Sequence, residues 1–214
     1  KTRGHFFILK GCYTVKLVTW NGIGYDSLVR PCYFNVKNVC MPFVSQLNSD
    51  IGISRVVLNT IDNQSEAGTK TYSNYTNTIS TELIKGGVYE LTLERPTTLN
   101  KMTRKAWIDF NQDGIFDASE TVAVENNAQT ATFKANVTIP RTVMSGYTRL
   151  RVGVVFSNTT INPCGSNFIG EFEDYLDYLE PNDYLWVYCF PRYHAHANDH
   201  LSRTHIGRSR SGLF

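Results

Sequence analysis

The chain lacks most of the signatures that mark an enzyme or a nucleic-acid binder. It has no HExxH, no phosphate loop and no CxxC pair, which leaves no motif for a zinc peptidase, a P-loop nucleotidase or a zinc ribbon. No run approaches the roughly 18 apolar residues of a membrane-spanning helix, so no membrane span is expected. No long stretch keeps a 3.6-residue period, so long amphipathic helices are not expected. Histidine is almost missing from the body: His5 stands alone, and His194, His196, His200 and His205 all fall near the end. No Ser-His-Asp or Cys-His arrangement therefore stands out, and no catalytic residue is assigned. Excess charge is scarce as well. The formal net charge is +2, and Arg192, Arg203, Arg208 and Arg210 face a single acid, Asp199, after Tyr184. The rest is close to neutral, which argues against a nucleic-acid groove.

What is present points to strands. Hydrophobic residues make up 42% of the chain, enough for a packed core. GCYTVKLVTWN (11–21) and SLVRPCYFNV (27–36) alternate and flank NGIG, a hairpin signature. Further strand candidates are ISRVVLNTI (53–61), GVYELTLE (87–94), RKAWIDF (104–110), ETVAVE (120–125), TATFKANVTI (130–139), YTRLRVGVVF (147–156) and FEDYLDYL (172–179). In YTRLRVGVVF the period of two puts Leu150, Val152, Val154 and Phe156 on one face and Arg149 and Arg151 on the other, as in a half-buried strand. Many short strands between KGG, ENN and SG turns predict an all-β protein, an antiparallel β-sandwich of jelly-roll or Ig-like type. We expect three parts: an N-terminal hairpin unit (1–38), the sandwich (39–181) and an irregular, basic, His-rich tail (182–214). Five widely spaced cysteines among many Thr and Asn suggest disulfides in an exported protein. A chain beginning at Lys1 reads as a mature piece or fragment of something longer.

DFNQDGIFDASE (109–120) has the spacing of a calcium loop. Asp109, Asn111, Asp113, Asp117 and Glu120 fall at positions one, three, five, nine and twelve. Gly114 sits at six, and Ile115 at seven offers a backbone carbonyl. Ca²⁺ takes six to eight hard oxygens at about 2.3–2.6 Å, and a glycine lets the backbone turn sharply enough to aim them inward. The flanks read as strands, so the loop would join two strands and not two helices. The other reading is an Asx-rich surface turn that binds nothing.

A set of blocks resembles the GEVED domain, a module of secreted bacterial proteins. They are CMP (40–42), SRVVLNTIDNQS (54–65), YSNYTN (72–77), GGVYELTL (86–93), WIDFNQDGIFDASE (107–120), VTIP (137–140), GYTRLRVGV (146–154), NPCG (162–165) and GEFEDY (170–175). Phe172 stands where the name-giving motif usually has Val. Upstream, GCYTVKLVTWNGIGYDS resembles the closing hairpin of a PKD or Ig-like domain. The resemblance implies a β-sandwich exported from bacteria of the Bacteroidetes type, set beside hydrolases or adhesin repeats. It implies no enzymatic activity for the module itself.

Three other groups complete the reading. Glu171 and Glu173 point to one face of a strand and Asp174 to the other. They would either supply an added cation site or fasten loops through backbone amides, unless the strand is simply solvated. Cys40 and Cys164 flank the module, and a bridge would tie its first strand to the loop before GEFEDY. Cys12 and Cys32 fall nearly opposite each other across the hairpin, and Cys189 is the odd one out. Tyr72, Tyr75, Trp107 and Tyr147 would form a sugar-stacking platform if they shared an exposed face. We expect a non-catalytic, Ca²⁺-binding module at the cell surface or secreted, meeting an extracellular protein, a polysaccharide or neighbouring domains of its parent chain. The alternative is a carbohydrate-binding accessory module of a secreted hydrolase.

Overall fold

The computed structural model describes residues 11–36, 38–157 and 160–180. These residues are all strand, turn and loop. In chain order the strands are β1 (Gly11–Trp20), β2 (Tyr25–Val36), β3 (Phe43–Gln46), β4 (Arg55–Leu58), β5 (Ile61–Gln64), β6 (Tyr72–Asn74) and β7 (Ser80–Ile84). They continue with β8 (Val88–Glu94), β9 (Met102–Ile108), β10 (Thr121–Ala128), β11 (Thr132–Thr138), β12 (Gly146–Phe156) and β13 (Ser166–Glu180). Two 3₁₀ turns, Ser49–Ile51 and Ala118–Glu120, interrupt them. The His-rich tail and Cys189 lie outside the described residues.

β1 and β2 form a two-stranded antiparallel sheet of their own. The turn between them closes because the Asn21 side chain accepts the N–H groups of Ile23 and Gly24. Cys12 is disulfide-bonded; the side chain of Cys32 is outside what is described.

The remaining strands make a seven-stranded sheet, β10-β9-β12-β13 with β3, β6 and β7 along the far side of β13, and a four-stranded sheet, β11-β8-β4-β5. The facing sides share one apolar cluster. The larger sheet contributes Met102, Ala106, Ile108, Leu150, Val152, Val154, Tyr175 and Leu179, and the smaller one Val56, Leu58, Ile61, Leu91, Leu93 and Val137. Burying such a side chain contributes about 1.5–3 kcal/mol, so this cluster is the main source of cohesion.

Three expectations are corrected. The larger sheet is mixed, not antiparallel: β3, β6 and β7 all run parallel to β13. ISRVVLNTI is not one strand. It folds back at Asn59, whose φ of 53° is a left-handed conformation that Asn tolerates better than most residues, giving the β4–β5 hairpin. Arg151 does not face solvent and is 0% exposed. The outer face of β12 and β13 is covered by a second cluster of Val44, Trp107, Phe116, Val155, Ile161 and Phe172, with Cys40 and Cys164 against it. Both faces of the central strands are therefore interior.

Candidate functional site

β9 delivers Asp109 and β10 receives Glu120, so the acidic loop spans adjacent antiparallel strands. Within it, carboxylates and amide close on the loop's own backbone. The Asp109 carboxylate accepts the N–H groups of Asp113 and Gly114, at 3.0 and 2.9 Å. Asn111 Oδ1 accepts the Asp113 N–H at 2.8 Å, and Asp113 Oδ1 accepts the Ile115 N–H at 2.7 Å. From the far end, Glu120 accepts the N–H groups of Asn111 and Asp117, at 3.1 and 3.0 Å. Gly114 is needed twice over. Its φ is 84°, and a Cβ there would collide with the carbonyl oxygen of Asn38. Asp109 and Glu120 are buried, Asp113 is half-buried, and Asn111, Ile115 and Asp117 are exposed.

The electrostatics follow from this crowding. Burial pushes the Glu120 carboxyl above its ordinary range; the amides of Asp117 and Asn111 pull it back, and the charges of Asp109 and Asp113 push it up further. Among the described residues, no three of His, Cys, Asp and Glu are grouped so as to hold a metal ion by themselves. The side-chain oxygens of Asp109, Asn111, Asp113 and Glu120 thus each accept backbone N–H groups of the loop, the Asp117 N–H among them. The donor chemistry fits Ca²⁺, an oxygen-seeking cation, and Glu120 keeps a second lone pair on each oxygen beyond its amide partner.

The loop is wired to the interior on two sides. Cys40 N–H donates to Gly114 O at 2.7 Å, and the Thr148 hydroxyl donates to Asp109 O. Phe116, at loop position eight and 5% exposed, enters the second cluster. The Arg151 guanidinium lies 4.5 Å from its ring centroid.

GEFEDY occupies the buried middle of β13, where a solvated strand had been one expectation. Gly170 is required because a Cβ would strike the carbonyl oxygen of Val154 on β12. Glu171 Oε2 accepts the N–H groups of Ile53 and Gly68, at 3.0 and 2.9 Å, tying two loops to the strand. Glu173 accepts the Tyr175 hydroxyl at 2.5 Å, and Tyr175 in turn accepts Asn63 Nδ2 at 2.8 Å. Burial pushes Glu173 up to about 7, and raises Glu171 as well. Asp174, on the opposite face, is held by Arg151 Nε and Nη2, both at 2.7 Å, by Arg149 Nη1 at 2.9 Å and by the Tyr72 hydroxyl at 2.7 Å. Arg151 Nη1 then donates to Cys40 O and Pro163 O. Cys40 and Cys164 form the expected bridge.

Sequence reasoning missed Asp177, fully buried, with neither carboxyl oxygen partnered among the described residues, and pushed well above the usual range by burial. The only signal for it was its place in the alternation Glu171, Glu173, Tyr175, Asp177. The aromatic platform does not exist as one face. Trp107 is 3% exposed in the second cluster, Tyr75 stacks on Tyr175 at 5.4 Å, Tyr72 is half-buried, and only Tyr147 is open to solvent.

The fold and site define an all-β protein with an acidic inter-strand loop anchored on a disulfide-bridged second core. Residues 103–176 match the family model of the GEVED domain. That stretch runs from β9 into β13 and holds both the acidic loop and GEFEDY; the resembling blocks before residue 103 lie outside it. No curated protein matches the chain.

Proposed function

We propose that the chain is a non-catalytic, calcium-stabilised interaction module, a β-sandwich carried by a secreted or cell-surface protein. The observation that carries this reading is the acidic loop. Asp109, Asn111 and Asp113 turn oxygens onto the N–H groups of Asp113, Gly114 and Ile115, and Glu120 accepts the Asn111 N–H from the other end. Four acids in twelve residues repel one another, and a divalent cation removes that repulsion. Asp109, Asn111, Asp113, Asp117 and Glu120 would hold the ion by side-chain oxygens and Ile115 by its carbonyl. The ion's role is structural: it neutralises the loop and adds stability by binding only the folded state.

Export is supported by the Cys40–Cys164 bridge, since such bonds persist in oxidising compartments. The partner would be an extracellular protein, a polysaccharide or an adjacent domain of the parent chain. The carbohydrate-binding alternative has less support, because the aromatic residues that would stack on sugar are dispersed between core and surface.

Thermal unfolding of the 214-residue chain in EDTA and in millimolar Ca²⁺ tests the reading. At a hundredfold excess over Kd the ion adds about 2.7 kcal/mol, and the midpoint rises; Asp113→Ala removes the rise. An unchanged midpoint in the unmodified protein would leave the loop a solvated turn.

A further inference from the structure

We propose that the Cys40–Cys164 disulfide positions the acidic loop, so that its reduction by a thiol lowers the loop's affinity for a divalent cation. The affinity part rests on the cation reading above; the positioning part does not.

Cys40 meets the loop directly, and Cys164 meets it through the second cluster. Cys40 N–H donates to Gly114 O at 2.7 Å, and the backbone of Asn38 lies so close to Gly114 that no side chain fits there. Cys40 and Cys164 pack on the cluster that receives Phe116. Arg151 closes the arrangement, with its guanidinium over Phe116 and Nη1 donating to Cys40 O at 2.9 Å and to Pro163 O beside Cys164. The loop's glycine carbonyl and its one buried aromatic side chain thus rest on a platform whose two chain segments are 124 residues apart in sequence and joined by the bridge.

The Cys40 side of that platform lies outside the sheets. Residues 38–42 belong to no strand, and β3, which follows, is four residues long. Without the bridge, the segment keeps only non-covalent ties: the Cys40 N–H bond to Gly114 O, the Arg151 bond to Cys40 O, the packing of Val39 on the second cluster and the Phe43 N–H bond to Gly165 O. Both cysteines are half-buried, within reach of a small thiol. A dithiol such as dithiothreitol breaks the S–S bond, leaves a thiol on Cys40 and on Cys164, and is itself oxidised to a cyclic disulfide, two electrons passing to the protein. A loop freed from its platform must be ordered when the cation binds, and that cost appears as weaker binding.

The test uses the full chain, oxidised, reduced with dithiothreitol, and as Cys40→Ala/Cys164→Ala. Ca²⁺ binding is measured by calorimetry. Amide exchange is followed at Asp113 and Gly114, and at Leu150 and Val152 on β12 as a control for the fold. Phe116→Ala, with the bridge intact, is a second way of releasing the loop. We expect binding at least tenfold weaker without the bridge, loss of protection at Asp113 and Gly114 in both the bridge-free protein and Phe116→Ala, and full protection on β12. Equal affinity in the two redox states overturns the inference. So does unchanged protection of Asp113 and Gly114 on reduction, and so does loss of protection on β12 with the loop, which would make the bridge a support of the whole fold. If the oxidised protein binds no Ca²⁺, the cation reading falls with the affinity part, and the exchange data alone decide the positioning part.

Discussion

Asp174 and Arg151 show how far a single residue's role can be read from its neighbours in sequence. The alternation along GEFEDY separates Asp174 from Glu171 and Glu173, and the structure keeps that separation. What alternation cannot show is whether the second face of a strand is covered. Here it is, and Arg151, expected on the solvent face, forms a bidentate pair with Asp174 at 0% exposure on both side chains. Such a pair contributes little net stability against an apolar replacement, but removing one partner strands the other in the interior. Asp174→Ala is therefore expected to lower the unfolding free energy by about 3–5 kcal/mol, read from denaturant titration. The double variant Arg151→Met/Asp174→Leu should recover much of that loss. A single variant as stable as the parent would show that Arg151 reaches water.

At the scale of elements, legibility followed length. β12 declared itself by period-two alternation over more than half its length, and β1–β2 by the NGIG turn between alternating runs. β3, β6 and β7 have only three to five residues, too few for a period to emerge from composition, and they pair with β13 only because the folded chain brings them there. The run FEDYLDYL predicts β13 only from residue 172, whereas the strand begins at Ser166. Its missed first segment contains the glycine of GEFEDY, which reads as a strand breaker until the neighbouring strand is visible. Gly170 is flat against Val154 O, so Gly170→Ala must push β12 and β13 apart. Overpacking of this kind costs about 1–3 kcal/mol. The loss should appear in the denaturation midpoint, with weaker amide protection along the β12–β13 ladder. Unchanged protection would mean the sheet absorbs the methyl group elsewhere.

For the molecule as a whole, an interior row of acids sets an unusual direction for pH. The sequence showed these residues alternating, but their burial depends on a second sheet that no local pattern specifies. Glu173 is raised from 4.5 to about 7, and Glu171 and Asp177 are raised too, each first by burial. Between pH 4.5 and 7 the folded state therefore binds more protons than the unfolded chain at Glu173, and stability falls as pH rises through that window. For Glu173 alone the loss approaches about 3 kcal/mol above pH 7, equivalent to roughly 6–12 °C in Tm for a chain of this size. Asp50 acts in the opposite sense. Burial opposes its charge, but hydrogen bonds from Thr97, Asn100 and Leu99 outweigh burial and lower its pKa, so its contribution is lost only as pH falls below 3.8. In EDTA, Tm should accordingly be highest near pH 4–5 and decline toward pH 7.5. Glu173→Gln keeps the hydrogen-bonding shape without the ionisation. It should flatten the decline and raise Tm at pH 7.5, while leaving pH 4.5 nearly unchanged. A Tm that rises from pH 4.5 to 7.5 in the parent protein would show that Glu173 and Asp177 are charged in the fold, which requires partners for oxygens that have none among the described residues.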